Sequence, residues 1–393
     1  MSREFHIEID CQQRSHQGEK ICGDVFLSRK IREENRIIAV LSDGLGHGVK
    51  ANILATLSST MALNFTREHR EVEKIASIIM NTLPVCSERK ISYATFTIID
   101  IEAGGNVTML EFDNPRAVII RGMDVYEPEW TKIELTEGKH AGRELRSCSF
   151  TASKEDRIIF CSDGVVQSGL GSERNPFGWG RDNLVSYARL MVSSEPTISA
   201  SKLAGKIVTM AHKNDGYSAK DDTSCASVYF REPRRLLLCT GPPYDENKDS
   251  LLAEKVTGFD GRIILSGGTT ADIIARETGR DIEDNLVFED PELPPESFID
   301  GIDLVTEGIL TLQKVMSVLE NYKKHKPGKG PADKIINMFM ESDEIEFIIG
   351  TRINTAHQDP NLPVDLEIRR NVVKKIASLL EESWLKKVQL EFI

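Results

Sequence analysis

The order in which strand-like and helix-like apolar stretches follow one another changes near residue 230, and this change constrains the possible folds more than any other feature of the 393-residue chain. Before it, stretches rich in Ile, Val, Phe and Thr follow one another across tight turns such as Gly104-Gly105-Asn106, a hairpin signal. After it, strand-like and helix-like stretches alternate almost one for one. The first pattern predicts antiparallel sheets flanked by helices. The second predicts an α/β domain with a mostly parallel sheet.

A polar segment that contains a proline, residues 231–235 (Arg-Glu-Pro-Arg-Arg), separates the two patterns. We therefore predict two domains, residues 1–232 and residues 235–393, each long enough to bury its own core. Within the second domain, the apolar run from Leu286 to Phe288 predicts one of the strands.

The charge balance is 49 basic against 61 acidic side chains, a net charge of −12. Binding to nucleic-acid phosphates requires clustered Lys and Arg, and the chain has no dense basic block, so we expect no nucleic-acid partner. No apolar run approaches the ~20 residues of a membrane-spanning helix, and the N-terminus lacks a signal-peptide pattern. The seven cysteines are scattered and form no C-x-x-C pair. These features predict a reduced, cytoplasmic protein without a membrane partner.

Four aspartates stand at the ends of predicted strands in the first domain. Asp24 and Asp222 each open a strand, whereas Asp43 and Asp163 each close one. In an antiparallel pair, the end of one strand lies beside the start of its neighbour, so two such pairs would gather four carboxylates at one edge. Like charges at this distance repel, and a hard divalent cation such as Mg²⁺ or Mn²⁺ would relieve the repulsion. Taken singly, each aspartate could equally belong to an ordinary turn.

The segments around these aspartates follow a characteristic order along the chain. They are Gly23-Asp24, Ser42-Asp43-Gly44-Leu45-Gly46-His47-Gly48, Ser162-Asp163-Gly164 and Lys220-Asp221-Asp222-Thr223-Ser224. As a set they resemble the motifs of the metal-dependent protein phosphatase (PPM) family, most closely its SpoIIE-like bacterial serine/threonine phosphatases. Asn114-Pro115 also looks like a strand turn of that branch. The resemblance covers roughly residues 1–230.

The resemblance implies an α+β four-layer α-β-β-α sandwich with two or more Mn²⁺ or Mg²⁺ ions at one end. By matching positions, Asp43 would bridge two ions and the Gly44 carbonyl would bind one of them. Asp163 and Asp222 would hold the second ion, with Asp24 near it. Catalysis would then depend on Asp43, Asp163 and Asp222 acting through bound metal and water, with direct hydrolysis of phosphoserine or phosphothreonine by a metal-bridging water.

Other residues near these motifs have less definite roles. The resemblance implies that Asp221 supports the site without binding an ion directly. For His47, in a glycine-rich turn at a predicted helix start, we favour a loop-shaping or solvent-facing role over that of a general acid. The eukaryotic relatives hold phosphate with an arginine near the N-terminus. Arg14 and Arg29 are weak candidates for it here.

Two predicted helices of the first domain, Val49 to Glu68 and Val72 to Thr82, leave an alternative open. In the SpoIIE-like branch, the equivalent helix pair can act as a switch that responds to partner or domain contact. The other interpretation is that the pair simply covers one sheet of the sandwich, and the sequence does not separate the two.

The second domain resembles no family that we can name from its motifs. Its most suggestive segment is a strand that runs into Gly267, Gly268 and Thr269 at the start of a helix, a geometry that can bind a small anionic ligand. The two glycines could equally serve only a tight turn. Arg352 and Asn354 follow another strand and would face the same edge of the sheet. We therefore expect a regulatory domain or a domain that binds a ligand or partner.

The sequence thus favours a Mn²⁺- or Mg²⁺-dependent protein phosphatase in a bacterial signalling pathway, with a phosphoserine or phosphothreonine protein as its substrate. The alternative is a signalling adaptor whose second domain binds a ligand or partner and whose phosphatase activity is weak or absent. A third hypothesis keeps the metal chemistry but assigns a small phosphorylated metabolite as the substrate.

Overall fold

The computed structural model describes residues 5–31, 33–68, 74, 78–80, 82, 94–102, 104–135, 141–352 and 364–393. The chain separates into two compact units, Met1–Glu232 and Pro233–Ile393. In the described part of the chain, no helix is both long and apolar enough to cross a membrane.

The first unit is built from antiparallel strands and from helices that follow them. Its strands are β1 (His6–Arg14), β2 (Val25–Ile31), β3 (Arg36–Gly44), β4 (Ala94–Ile101), β5 (Asn106–Phe112), β6 (Val118–Arg121), β7 (Asp124–Val125), β8 (Trp130–Glu134), β9 (Glu144–Thr151), β10 (Arg157–Cys161) and β11 (Thr223–Arg231). Its helices are α1 (Gly48–Arg67), α2 (Asp163–Val166), α3 (Arg181–Ser194) and α4 (Ala200–Asn214).

These strands form two sheets. One has the order β2-β3-β4-β5-β9-β8 and the other the order β1-β11-β10-β6-β7. Apolar side chains of both sheets, including Leu41 and Ile99 from one and Ile158 and Val228 from the other, share one core cluster. The two sheets therefore pack face to face.

Helices cover the outer faces of both sheets. Ala62 and Leu63 of α1 pack with Val40 on one sheet, and Leu184 of α3 packs with Ile159 on the other, where α4 also lies. The layers are therefore α-β-β-α. The helix predicted from Val49 to Glu68 is α1. Of the helix predicted from Val72 to Thr82, residues 74, 78–80 and 82 are helical and the others lie outside the described residues.

The second unit alternates strands and helices. Its strands are β12 (Arg235–Thr240), β13 (Arg262–Ser266), β14 (Glu283–Asp284), β15 (Ser297–Phe298), β16 (Leu304–Thr306), β17 (Glu344–Ile349) and β18 (Lys387–Phe392). Its helices are α5 (Asp249–Thr257), α6 (Gly268–Thr278), α7 (Ile309–Glu320), α8 (Pro331–Glu341) and α9 (Val364–Trp384), with short 3₁₀ turns at Glu246–Lys248 and Tyr322–Lys324.

The strands of the second unit form one sheet in the order β14-β15-β16-β13-β12-β17-β18. The pairs β16/β13, β13/β12, β12/β17 and β17/β18 are parallel, whereas β14/β15 and β15/β16 are antiparallel. Apolar clusters cover both faces, as a parallel sheet requires. The strand predicted from Leu286 to Phe288 is wrong: these residues have no regular structure, and their side chains are 87%, 63% and 66% exposed.

Candidate metal centre

The antiparallel ladders of the first unit bring the four aspartates together in pairs. Asp24 immediately precedes β2 and Asp43 lies near the end of β3, and Val25 pairs with Ser42 in the ladder between them. Asp163 follows β10 and Asp222 precedes β11, where Cys161 pairs with Cys225. Each sheet therefore contributes one pair of aspartates to its edge.

Close contacts at Gly23 join the two pairs across the sandwich. A Cβ added at Gly23 would lie 2.6 Å from Oδ2 of Asp222, which belongs to the other sheet, and 2.8 Å from the Ala51 Cβ in α1. A Cβ added at Gly44 would lie 2.1 Å from the Ala51 carbonyl oxygen, so no side chain fits there. The chain therefore needs glycine at these positions to bring the two edges and α1 this close.

The aspartates perturb one another strongly. Burial raises the pKa of Asp24 from 3.8 to about 7, and the negative charge of Asp222 adds to this shift. Burial also raises the pKa of Asp43 well above its ordinary value, with further contributions from the charges of Asp24, Asp163 and Asp221. The pKa of Asp221 rises to about 6, first because of burial and then because of Asp163. The five carboxyl groups therefore form one electrostatic cluster.

Several carboxylate oxygens in this cluster lack a donor. In the described part of the chain, both oxygens of Asp24 and Oδ2 of Asp222 are buried and accept no hydrogen bond of good geometry, although the nearby hydroxyl groups of Ser224 and Ser162 lower the pKa of Asp24 and so partly offset the effect of burial. Oδ1 of Asp222 accepts the backbone N–H of His16 at 3.0 Å. Buried, unpaired carboxylate oxygens are costly unless a cation neutralises them, and oxygen-only donors suit Mg²⁺ or Mn²⁺.

The carboxylates are gathered rather than fully arranged as a coordination shell. Among the described residues, no three His, Cys, Asp or Glu side chains already stand in a geometry that would hold a metal ion. The donor chemistry and the unpaired oxygens nevertheless fit hard divalent ions. The ligand roles of Asp24, Asp43, Gly44, Asp163 and Asp222 therefore stay proposals.

The loop between β1 and β2 holds Asp222 through contacts that the motifs did not reveal. The His16 ring stacks on the His47 ring, with centroids 4.4 Å apart and planes 11° from parallel. His47 Nδ1 lies 2.9 Å from Glu19 Oε1, so this loop is joined to the glycine-rich turn after β3. Gln13 donates from its side chain to the Asp24 carbonyl oxygen at 3.2 Å.

One further polar side chain contacts a site aspartate, whereas the two candidate arginines, Arg14 and Arg29, are placed elsewhere. Gln167, at the end of α2, donates from Nε2 to Oδ2 of Asp163 at 2.7 Å. Nη1 of Arg14 lies 3.4 Å from Nε2 of His212 on α4, and Arg29 is exposed in the middle of β2. No sequence motif marked Gln167, because its role depends on one helical turn that brings it back to Asp163.

The second unit has a cavity of about 610 Å³ that the sequence located only in part. Its lining is Tyr244, Asp245, Glu246, Asn247 and Arg352. Arg352 Nη1 lies 2.8 Å from Glu246 Oε1. The predicted anion-binding segment Gly267, Gly268 and Thr269 does not line this cavity, and Asn354 lies outside the described residues.

Most of the first unit, with its two sheets, matches a known protein family. The family model described as stage II sporulation protein E (SpoIIE) matches residues 33–231, just over half of the chain. The chain belongs to the SpoIIE family, which confirms the resemblance drawn from the motifs.

Solved structures similar to this chain include two of SpoIIE from Bacillus subtilis. One is the phosphatase domain in a crystal form without domain swapping: 14% identity, TM-score 0.45, covering 58% of this chain and 93% of that chain. The other is the PP2C phosphatase domain with a fragment of the regulatory domain, which is 16% identical, with a TM-score of 0.48; the match covers 58% of this chain and 64% of that chain. RsbX in complex with magnesium is 18% identical, with a TM-score of 0.40 and coverage of 58% and 98%. The comparison with curated proteins found no match.

Proposed function

We propose that this protein is a Mn²⁺- or Mg²⁺-dependent serine/threonine protein phosphatase of a bacterial signalling pathway. Membership of the SpoIIE family supports the phosphatase class. The observation that supports the metal dependence is the set of buried carboxylate oxygens on Asp24 and Asp222 that accept no well-formed hydrogen bond in the described part of the chain, within a cluster of like charges. Such a set is stable only when it is protonated or bound to a cation.

Some of the proposed residues would bind the metal ions, and others orient the residues that bind them. Asp43, Asp163 and Asp222 would hold the ions, with Asp24 and the Gly44 carbonyl completing the set. When bound, such ions lower the pKa of a shared water toward ~7 and neutralise phosphate charge. Gln167 fixes the direction of the Asp163 carboxylate, and the His16 N–H fixes that of Asp222. These contacts limit how far the two carboxylates can turn and would help to orient them when an ion binds.

Hydrolysis of p-nitrophenyl phosphate tests the proposal. We expect turnover that depends on added Mn²⁺, ceases with EDTA, and falls by at least ~100-fold in Asp43→Asn or Asp163→Asn, because each substitution removes a charged oxygen donor. A matched control is Asp124→Asn, an 89% exposed carboxylate in β7. Full activity in either site variant, with a folded protein, would contradict the ligand assignment.

We further propose that residues 235–393 form a regulatory or ligand-binding domain, separate in role from the SpoIIE-like domain of residues 1–232. The supporting observation is the cavity beside Tyr244 and Arg352, at the carboxyl ends of the adjacent parallel strands β12 and β17. Ligands of open α/β sheets bind at such an edge. Because Arg352 already pairs with Glu246, an anionic ligand would have to displace that carboxylate. Titration with inorganic phosphate and with AMP, comparing the wild type with Arg352→Ala, tests for such a ligand.

A further inference from the structure

The two edges of the sheet in the second unit differ. One edge ends in β14 and β15, which pair with each other through only two residues each, and such short edge strands resist further pairing. The other edge is β18, whose six residues all pair with β17 on one side, while among the described residues no strand pairs with its other side. Five of these six residues are exposed. β18 is therefore a long, open edge to which another strand can be added.

The direction of the main-chain groups of β18 follows from its bonds to β17. The N–H groups of Lys387 and Ile393 donate to carbonyl oxygens just before β17 and at its end, at 3.0 and 3.1 Å. Alternate residues of a strand direct their main-chain N–H and C=O groups to the same side of the strand. Val388, Leu390 and Phe392 therefore direct theirs away from β17. These groups are available to a further strand.

The charges of β18 are complementary to those of a second copy of the same strand. Lys387 and Glu391 carry opposite charges and stand at equal distances on either side of Gln389. When a second copy lies antiparallel with Gln389 opposite Gln389, each Lys387 faces Glu391 of the other copy, and each Val388 faces Leu390. Charged side chains on an edge strand usually prevent self-association because like charges meet. Here antiparallel self-pairing brings opposite charges together.

Ion pairs within one chain already fix these two side chains. Nζ of Lys387 lies 3.0 Å from Oε1 of Glu344, and Oε1 of Glu391 lies 2.5 Å from Nζ of Lys255. In the antiparallel arrangement the charges would alternate across the junction: Glu344, Lys387, then Glu391 and Lys255 of the second copy. Side chains that are already ordered lose less entropy on forming a further pair, so such a network stabilises more than an isolated surface pair.

Exposed apolar side chains lie at the same edge. Leu385, just before β18, is 69% exposed, Leu390 is 37% exposed and Phe392 is 39% exposed. The register centred on Gln389 brings Phe392, at the end of β18 in one copy, next to the start of β18 in the other copy, where Leu385 stands. Antiparallel pairing would therefore remove apolar surface of both copies from water.

We propose that β18 joins two copies of this chain into a homodimer, in which the two β18 strands pair antiparallel about Gln389 and one sheet runs through both second units. The N–H of Val388 would donate to the Leu390 carbonyl oxygen of the second copy, and the N–H of Leu390 to the Val388 carbonyl oxygen. A junction of two strands buries less than the ~1,600 Å² of a standard interface, so we expect a reversible dimer with a dissociation constant on the order of 10 µM. This inference is independent of the proposed phosphatase function.

Charge reversal tests the dimer by sedimentation velocity of the full chain, from about 1 to about 200 µM, on either side of that constant. Lys387→Glu and Glu391→Lys should each weaken association about tenfold or more, because each places two like-charged pairs across the junction. An equimolar mixture of the two variants should associate as the wild type does, because every facing pair then has opposite charges. Lys326→Glu reverses an exposed lysine outside β18 and is the matched control, which should associate like the wild type.

Cysteine cross-linking tests the register. Gln389→Cys should form an intermolecular disulfide on mild oxidation, because the axis places the two Cα atoms about 4.5 Å apart in a pair without mutual hydrogen bonds. Glu391→Cys has the same native cysteines and should not cross-link, because its two Cα atoms would be about 13 Å apart.

Three results would overturn the dimer. They are a wild type that stays monomeric over the whole concentration range, a dimer that neither charge reversal weakens, and a mixture that associates no better than the single variants. The melting temperature of each variant shows whether it is folded. If a charge-reversed variant does not fold, the cysteine pair decides the matter: equal cross-linking of Gln389→Cys and Glu391→Cys, or none in Gln389→Cys, overturns the proposal.

Discussion

Replacing the buried Asp24 by Asn should stabilise the metal-free protein at alkaline pH. Burial raises the pKa of Asp24 from 3.8 to about 7, so the folded state prefers the protonated carboxyl. The stability that this preference contributes is fully present below pH 3.8 and is lost as the pH rises through about 7. A shift of this size corresponds to about 4 kcal/mol, at about 1.4 kcal/mol per pKa unit. Asn carries no charge at any of these values.

Urea unfolding in EDTA at pH 5 and pH 8 measures this effect. A Trp384→Phe background leaves Trp130 and Trp179, both in the first unit, as the fluorescent reporters. Part of the loss of stability has already occurred at pH 5, so we expect Asp24→Asn to gain up to about 3 kcal/mol on the wild type between pH 5 and pH 8. Added Mn²⁺ should then stabilise the wild type much more than the variant. A constant difference between the two proteins across this pH range would refute the reasoning.

Three further predictions follow from single contacts. His47→Ala should weaken Mn²⁺ binding about tenfold, measured by isothermal titration, because it frees His16, whose N–H orients Asp222. Burial raises the pKa of Glu111 from 4.5 to about 7, so the wild type should lose about 3 kcal/mol of stability as the pH rises through this range. Glu111→Gln should abolish this loss, as measured by urea unfolding. Gly44→Ala should lower the melting temperature by several degrees, because the new methyl group would lie 2.1 Å from a carbonyl oxygen of α1.

Controls separate these effects from general destabilisation. His325→Ala removes a histidine that lies 2.6 Å from the Asp333 carboxylate in the second unit, and it should leave Mn²⁺ affinity unchanged. Equal weakening in His47→Ala and His325→Ala would contradict a specific role for the stacked rings. Gly104→Ala is the control for Gly44→Ala, since a Cβ there meets nothing within 4 Å although φ is +86°. A milder effect of Gly44→Ala than of Gly104→Ala would contradict the close approach.

Local patterns predicted the layout of the acidic edge because strand ends and turns are encoded nearby in the chain. Asp24 and Asp43 stand at opposite ends of two strands joined by one turn, and β2 and β3 pair as that spacing requires. The close approach of Gly23 to Asp222 could not be predicted from local patterns, because it depends on how the two sheets pack against each other. The stacking of His16 on His47 likewise joins two loops that no periodicity connects.

For the run from Leu286 to Phe288, the local pattern predicted a strand that the structure does not contain. Its apolar residues match a buried strand, yet all three side chains are exposed. The neighbouring hairpin consists of β14 and β15, which pair through only two residues each, Glu283 with Phe298 and Asp284 with Ser297. Composition alone does not distinguish a strand that enters the core from an exposed segment beside a sheet edge.

The acidic edge can form only after β1 has paired with β11. Arg14 pairs with Thr223, so the first strand of the unit is held by its last, and Asp222 meets Gly23 only once both are in place. A nascent chain that ends before residue 222 therefore has no complete centre, however well its earlier hairpins have formed. Uptake of the ions would report that synthesis and folding of the entire first unit are finished.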